Sequence, residues 1–107
     1  MYLVDAAAVI RSKNAGPYEL TLDVIFKTTR WFDHAIETNL LNKELICQLY
    51  RVSEDDVLRI VNFRPANAIK VTIVRPIASG AIGETDVYGA QQHAPLLKIV
   101  FADGAPK

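Results

Sequence analysis

The alternation of apolar and polar residues constrains the fold of this chain more than any other sequence feature. Apolar residues occupy every second position of residues 20–26 and flank Thr21 and Asp23, and residues 69–73 repeat this period of two around Lys70. Successive side chains of a strand point to opposite faces of a sheet, so this period is typical of a half-buried β-strand. The two segments predict a sheet with one apolar face and one more polar face.

Further segments are apolar enough to form strands. Residues 4–10 and 96–101 are short apolar runs, and residues 57–63 lie between turn-forming residues. The segment 75–95 contains two prolines and three glycines but few large apolar residues, so it predicts a long loop that is functional, covered by a partner or mobile.

Two short helices are predicted between residues 20–26 and 57–63. A hydroxyl of Thr28 or Thr29 can cap the first helix, which is expected to end at Asn39, and Asn42 can cap the second. The apolar stripes have the three-and-four spacing of a helix face: Trp31, Phe32, Ala35 and Ile36 in the first helix, and Leu45, Ile46, Leu49 and Tyr50 in the second.

The order strand, strand, helix, helix, strand, strand, strand predicts an α+β fold. Its simplest packing is a two-layer sandwich of the ferredoxin-like type, in which the two short helices cover one face of a mostly antiparallel sheet. The 107 residues fit a single domain, residues 1–107. One core is expected to hold Leu22, Val24, Ile36, Leu45, Leu49, Ile69, Val71 and Ile73.

Composition excludes several classes of protein. Twelve basic residues balance twelve acidic ones, so no overall charge attracts nucleic acid or an anionic membrane. No apolar run approaches the roughly 20 residues that span a bilayer. The single Cys47 cannot form an internal disulfide, and the first residues lack the basic start of a secretory signal, so we expect a cytoplasmic protein.

A first polar cluster lies at residues 11–17. The Arg11 guanidinium, with Ser12, Asn14 and the amide of Gly16, could hold a carboxylate or phosphate. The same residues could instead form a turn whose side chains bond local backbone groups. Both interpretations remain open from the sequence.

The polar side of residues 20–26 provides further candidates for ligand binding. Asp23, with Thr21 beside it, would be a carboxylate on an otherwise apolar strand. Such a carboxylate needs a cationic partner, and Arg11 and Lys70 are the candidates. A purely structural ion pair would satisfy the same requirement.

A second polar cluster lies at residues 85–93. Asp86, Tyr88 and His93 provide a carboxylate, a phenol and an imidazole, which are candidates for a catalytic acid or base. Gln91 and Gln92 could bond a ligand, a partner or the backbone of a purely structural loop.

If residues 4–10 and 96–101 were antiparallel neighbours, the two polar clusters would converge and Arg11 would lie beside Asp86. We also expect no metal, because His34, His93 and the scattered carboxylates lack the spacing of a ligand set. No cofactor fingerprint occurs either, so no cofactor is expected. Cys47 and Trp31 lie on helical stripes and are expected in the core.

Four motifs resemble the signature of a known family: residues 11–17, 20–23, 67–70 and 85–95. This family comprises short stand-alone proteins of unknown function found alongside proteins similar to acyclic terpene utilisation protein A (AtuA-like proteins). The chain is more remotely similar to the C-terminal ferredoxin-fold domain of AtuA-like proteins. The residues that match that domain are Arg11, Ser12, Gly16, Asp86, Gly89, Leu96 and Leu97.

The resemblance implies a small subunit or accessory domain of a larger AtuA-like protein in small-carboxylate or acyl-CoA catabolism. The two polar loops would then contribute to a shared site or interface. Self-association into a homo-oligomer is also expected, because a small sheet with an open apolar face favours association. The alternative is a stand-alone small lyase, hydratase or isomerase that acts on a carboxylate through Asp86, Tyr88 or His93.

Overall fold

An antiparallel sheet of four strands forms the centre of the computed structural model, which describes residues 2–16, 18–74, 96–97 and 99–100. A one-turn helix precedes the sheet, and two longer helices follow its second strand. In chain order the elements are α1 (Leu3–Ala6), β1 (Ala7–Gly16), β2 (Glu19–Phe26), α2 (Thr29–Glu37), α3 (Lys43–Tyr50), β3 (Val57–Phe63) and β4 (Ala68–Val74).

The strands lie in the order β1-β2-β4-β3, and all neighbours are antiparallel. Two hairpins, β1–β2 and β3–β4, are therefore joined through their inner strands. The register of the inner pair sets Leu22 opposite Val71 and Asp23 opposite Lys70. Because adjacent residues point to opposite faces, the leucine and the aspartate mark the two faces of the sheet.

Both helices pack on the face that carries Leu22. The ring of Phe32 in α2 meets that of Phe26 in β2 edge to face, with centroids 6.4 Å apart. The guanidinium of Arg64 lies 5.1 Å from the centroid of the Phe32 ring. Ile46 of α3 is fully buried in the same cluster. The predicted two-layer α+β arrangement is therefore confirmed.

The predicted core is also confirmed. Its buried members come from the two inner strands: Leu22, Val24, Ile69, Val71 and Ile73. The helices contribute Ile36, Leu45 and Leu49, which are partly buried and pack against the core. Trp31 and Cys47 pack against it in the same way.

Side-chain caps start both longer helices where the sequence predicts them. Thr28 Oγ1 accepts a hydrogen bond from the Trp31 amide at 3.2 Å, and Asn42 Oδ1 accepts one from the Leu45 amide at 2.8 Å. Beyond the end of α2, Asn39 has a φ of 50°, a left-handed conformation that asparagine tolerates. The hydrogen bonds to Thr28 and Asn42 satisfy backbone N–H donors that the start of a helix leaves unpaired.

The prediction of a strand over residues 4–10 is wrong at its start. Leu3–Ala6 forms the helix α1, and β1 begins only at Ala7. Leu3 and Ala6 are three residues apart and are both buried, which is the spacing of a helical face. A short apolar run does not distinguish the two structures by its periodicity.

The predicted last strand, residues 96–101, is not formed over the described residues of that segment. Leu96 and Leu97 lie in a 3₁₀ turn, and Val100 makes a single antiparallel bridge with Tyr2. The Leu3 amide donates to the Ile99 carbonyl at 2.8 Å. Residues 2–3 therefore contact residues 99–100 through one bridge and one further hydrogen bond among the described residues. The predicted loop, residues 75–95, lies outside the described residues.

We expect Phe32→Ala to lower the free energy of unfolding by about 3–5 kcal/mol, because it leaves a cavity beneath the helices. Phe32 is fully buried, whereas Tyr18 is 61% exposed. The matched variant Tyr18→Ala should change the stability by less than about 0.5 kcal/mol. Urea unfolding followed by circular dichroism measures both, and equal losses would contradict this assignment of the core.

A second prediction concerns alkaline pH, since burial raises the pKa of Tyr50. The folded chain keeps this hydroxyl protonated while the unfolded chain ionises it near pH ~10. The free energy of unfolding should therefore fall as pH rises above about 10, with full stability below that value. Tyr50→Phe should reduce this slope in urea unfolding between about pH 8 and 11. An unchanged slope would show that Tyr50 does not cause the loss.

Candidate binding face of the sheet

The sheet face opposite the helices, here the polar face, carries side chains in rows that cross all four strands. The register sets one residue from each strand in every row, in the order β1, β2, β4, β3. The central row is Arg11, Asp23, Lys70 and Val61; beside it lie a polar row (Lys13, Thr21, Thr72 and Arg59) and an apolar row (Val9, Ile25, Ala68 and Phe63).

Asp23 is the most constrained residue of the polar face. Its side chain is only 1% exposed, and Arg11 Nε donates to its Oδ2 at 3.1 Å. The other carboxylate oxygen, Oδ1, is buried and accepts no hydrogen bond from the residues that the structure describes. A buried acceptor without a partner destabilises a fold by about 1–3 kcal/mol. Of the two cations that the sequence offers Asp23, Arg11 and Lys70, the structure shows Arg11 as its partner, and Oδ1 has none among the described residues.

Lys70 lies directly opposite Asp23 on β4. Opposed residues of an antiparallel pair have Cβ atoms about 5 Å apart, so the lysine stem is a neighbour of the carboxylate. Within the described part of the chain the Lys70 ammonium forms no ion pair.

Positive charge predominates on the polar face. Among the described residues this face carries four cations, Arg11, Lys13, Arg59 and Lys70, and two carboxylates, Asp23 and Glu19, a formal charge of +2. Arg59 and Glu19 form a looser pair at 3.8 Å, and their side chains are 57% and 39% exposed. Such a face can attract a small anion or an acidic surface.

The first polar cluster does not form the predicted turn. Residues 11–16 belong to β1, whose alternation sends Arg11 to the polar face and Ser12 to the helix-covered face, where Ser12 is 6% exposed. Asn14 lies on the same side as Ser12. A single cradle made of Arg11, Ser12 and Asn14 is therefore wrong. A Cβ added to Gly16 would meet only Glu19 Oε2, at 3.9 Å, so no close contact requires a glycine there.

The structure places Arg11, Thr21, Asp23 and Lys70 on one face of the sheet. The sequence did not identify Arg59 and Thr72 as residues of this face. The period of two in β3 and β4 indicates that each lies on a sheet face. Their position beside Thr21 depends on the strand order β2-β4-β3, which the period does not predict.

The second polar cluster lies outside the described residues. Asp86, Tyr88, Gln91, Gln92 and His93 keep their assignments as predictions, and so does the convergence of Arg11 with Asp86. Among the described residues, no group of three His, Cys, Asp or Glu side chains could hold a metal ion. None of the described helices is both long and apolar enough to cross a membrane.

Comparison with known proteins gives one match. A family model described as "Domain of unknown function (DUF4387)" matches residues 3–100, a range that includes every helix and strand given above. Comparison with curated proteins and with solved structures gave no match.

The two ion pairs of the polar face predict different responses to mutation. Arg11→Ala should lower the free energy of unfolding by about 1–3 kcal/mol, because it removes the hydrogen bond of a buried carboxylate oxygen. Arg59→Ala should cost less than about 1 kcal/mol, because that pair is exposed. Urea unfolding measures the free energy of unfolding of both variants. Adding Asp23→Ala and the double variant Arg11→Ala/Asp23→Ala gives a double-mutant cycle that isolates the Arg11–Asp23 interaction energy. A loss for Arg59→Ala equal to that for Arg11→Ala would contradict this ranking.

Proposed function

We propose that this chain, which belongs to the family described as "Domain of unknown function (DUF4387)", is a small accessory subunit of a larger protein. Its polar face binds the larger protein and contributes cationic side chains to a shared site for a small carboxylate. The subunit has no complete active site of its own in this proposal.

The excess of cations over carboxylates on the polar face is the observation that carries the proposal. The side chains of Arg11 and Arg59 are 54% and 57% exposed, so a partner or an anionic ligand can contact them. The Asp23 carboxylate is 1% exposed and holds Arg11 in place through one hydrogen bond. A carboxylate brought by the larger protein or its substrate would pair with these exposed cations.

Exposed apolar residues beside the central row support binding to a protein. Val61 and Phe63 are 45% and 47% exposed and are neighbours on the edge strand β3, whereas Val9, 39% exposed, lies on the opposite edge strand β1. Exposed apolar side chains beside charged groups are typical of a surface that binds another protein. A second copy of the chain is the other partner that such a surface could accept.

The motif resemblance identifies the larger partner that we propose, an AtuA-like protein in small-carboxylate or acyl-CoA catabolism. We further propose that both act in the cytoplasm. The alternative, a stand-alone lyase, hydratase or isomerase, depends on Asp86, Tyr88 and His93, so nothing in the described residues favours it.

Purification of the tagged chain from its native host tests the proposal, with bound proteins identified by mass spectrometry. We expect an AtuA-like protein to be retained. In binding measurements with the purified partner, Lys70→Ala and Phe63→Ala should each weaken the affinity about tenfold, a loss of about 1.4 kcal/mol. Arg30→Ala is the matched control, because Arg30 is an exposed cation of α2, in the helical layer.

Two results would contradict the proposal. One is a chain that is monomeric by light scattering and retains no partner. The other is a complex in which Arg30→Ala weakens binding while the two polar-face variants bind normally. Retention of only a second copy of the chain would establish the homo-oligomer in place of the accessory subunit.

A further inference from the structure

The two edge strands of the sheet, β1 and β3, differ in how they are protected against pairing with a further strand. β1 carries Arg11 and Lys13 on the polar face, and its register with β2 is irregular near both of its ends. Charged side chains and bulges are common devices by which proteins prevent an edge strand from pairing with a neighbouring molecule. β1 is therefore a protected edge.

The edge strand β3 (Val57–Phe63) has fewer of these devices. Its three exposed apolar side chains are Leu58, Val61 and Phe63, at 42%, 45% and 47%, and Arg59 is its one charged residue. Its pairing with β4 is regular from Arg59 to the end of the strand. Among the described residues, the backbone of this regular stretch bonds only that of β4. A regular edge strand with exposed apolar side chains is a template for another strand.

The regular stretch of β3 is complementary to itself in one antiparallel register. Its middle residue is Val61, and a two-fold axis there sets this valine opposite its own copy. Arg59 then lies opposite Phe63 of the second copy, whose ring can pack on the aliphatic stem of the arginine. A register centred on Arg59 would instead oppose two guanidinium groups. The pairing through Val61 thus avoids like charges and uses the whole regular stretch.

The two ends of β3 carry opposite charge. Glu54, Asp55 and Asp56 precede the strand in a short 3₁₀ helix. Arg64 follows the strand and bonds Asp33 at 2.7 Å, yet its side chain is 63% exposed and can contact a second carboxylate. An antiparallel pair places the acidic start of each strand beside the basic end of the other, whereas a parallel pair would bring the two acidic segments together. Charge complementarity therefore favours a second copy in the antiparallel orientation.

We propose that two copies of this chain pair through residues 59–63 of β3 and form one sheet that runs through both copies. The two-fold axis is perpendicular to this sheet, so both polar faces lie on the same side and form one surface. The proposal concerns the edge of the sheet and does not depend on the accessory-subunit proposal. Lys70→Ala, which removes a cation from the inner strand β4, should leave the dimer intact.

Charge substitution at Val61 tests the axis. Val61→Lys alone and Val61→Glu alone each oppose two like charges, so each variant should lose the dimer that analytical ultracentrifugation detects for the unmodified chain. An equimolar mixture of the two variants opposes an ammonium and a carboxylate and should restore a dimer with one copy of each. Val9→Lys and Val9→Glu are the matched controls, because Val9 is 39% exposed on the other edge strand, and both should dimerise.

Intermolecular crosslinking tests the same axis independently. Val61→Cys should form a disulfide between two copies under mild oxidation, because directly opposed residues of an antiparallel pair lie within disulfide range. Val9→Cys is the control and should give no such crosslink. Both variants retain Cys47, which is partly buried in α3, so its contribution is the same in each. Electrophoresis without reductant measures the crosslinked fraction.

Each contrary result overturns the proposal. An unmodified chain that stays monomeric at millimolar concentration would show that β3 does not pair with a second copy. A dimer that persists in both Val61 variants, or a mixture of the two that stays monomeric, would exclude the proposed axis. Loss of the dimer in Lys70→Ala or in the Val9 variants would place the interface elsewhere. Circular dichroism establishes that each variant is folded.

Discussion

The register of β2 is the constraint on which the rest of the structure depends. This strand is paired on both sides, and Ser12 and Val71 lie opposite Leu22 on its two neighbours. A slip of one residue would turn Asp23 toward the helices and Leu22 toward the polar face. The apolar packing of the helices therefore fixes, through the register, which side chains form the polar face.

The burial of Asp23 lowers the stability of the fold even when the strands pair in the correct register. Folding buries its carboxylate almost completely, yet Arg11 satisfies only one of the two oxygens. A chain selected only for stability could carry an apolar or β-branched residue at this place in a central strand. Positions where a sequence departs from local folding rules are the expected locations of function. Here the buried carboxylate orients Arg11, an exposed cation of the proposed binding face.

Those parts of the structure that the sequence predicts have local causes. The alternation in β2 and β4 and the caps at Thr28 and Asn42 act within a few residues, and the structure confirms all four. The Arg11–Asp23 pair was predictable because a buried carboxylate needs a cation. By contrast, a helix rather than a strand at the start of the chain, and a 3₁₀ turn near its end, depend on packing between distant segments. The bond from the Leu3 amide to the Ile99 carbonyl is one such contact.

The contrast between local patterns and long-range packing also explains which site residues the sequence groups correctly. A turn over residues 11–16 would have united Arg11 and Ser12, whereas the long strand β1 assigns them to opposite faces. On β4, Ile69 is buried in the core beneath the helices, and the adjacent Lys70 belongs to the central row of the polar face. Alternation thus assigns neighbouring residues of one strand to the core and to the proposed binding face. A substitution at either residue reports on one face of the sheet.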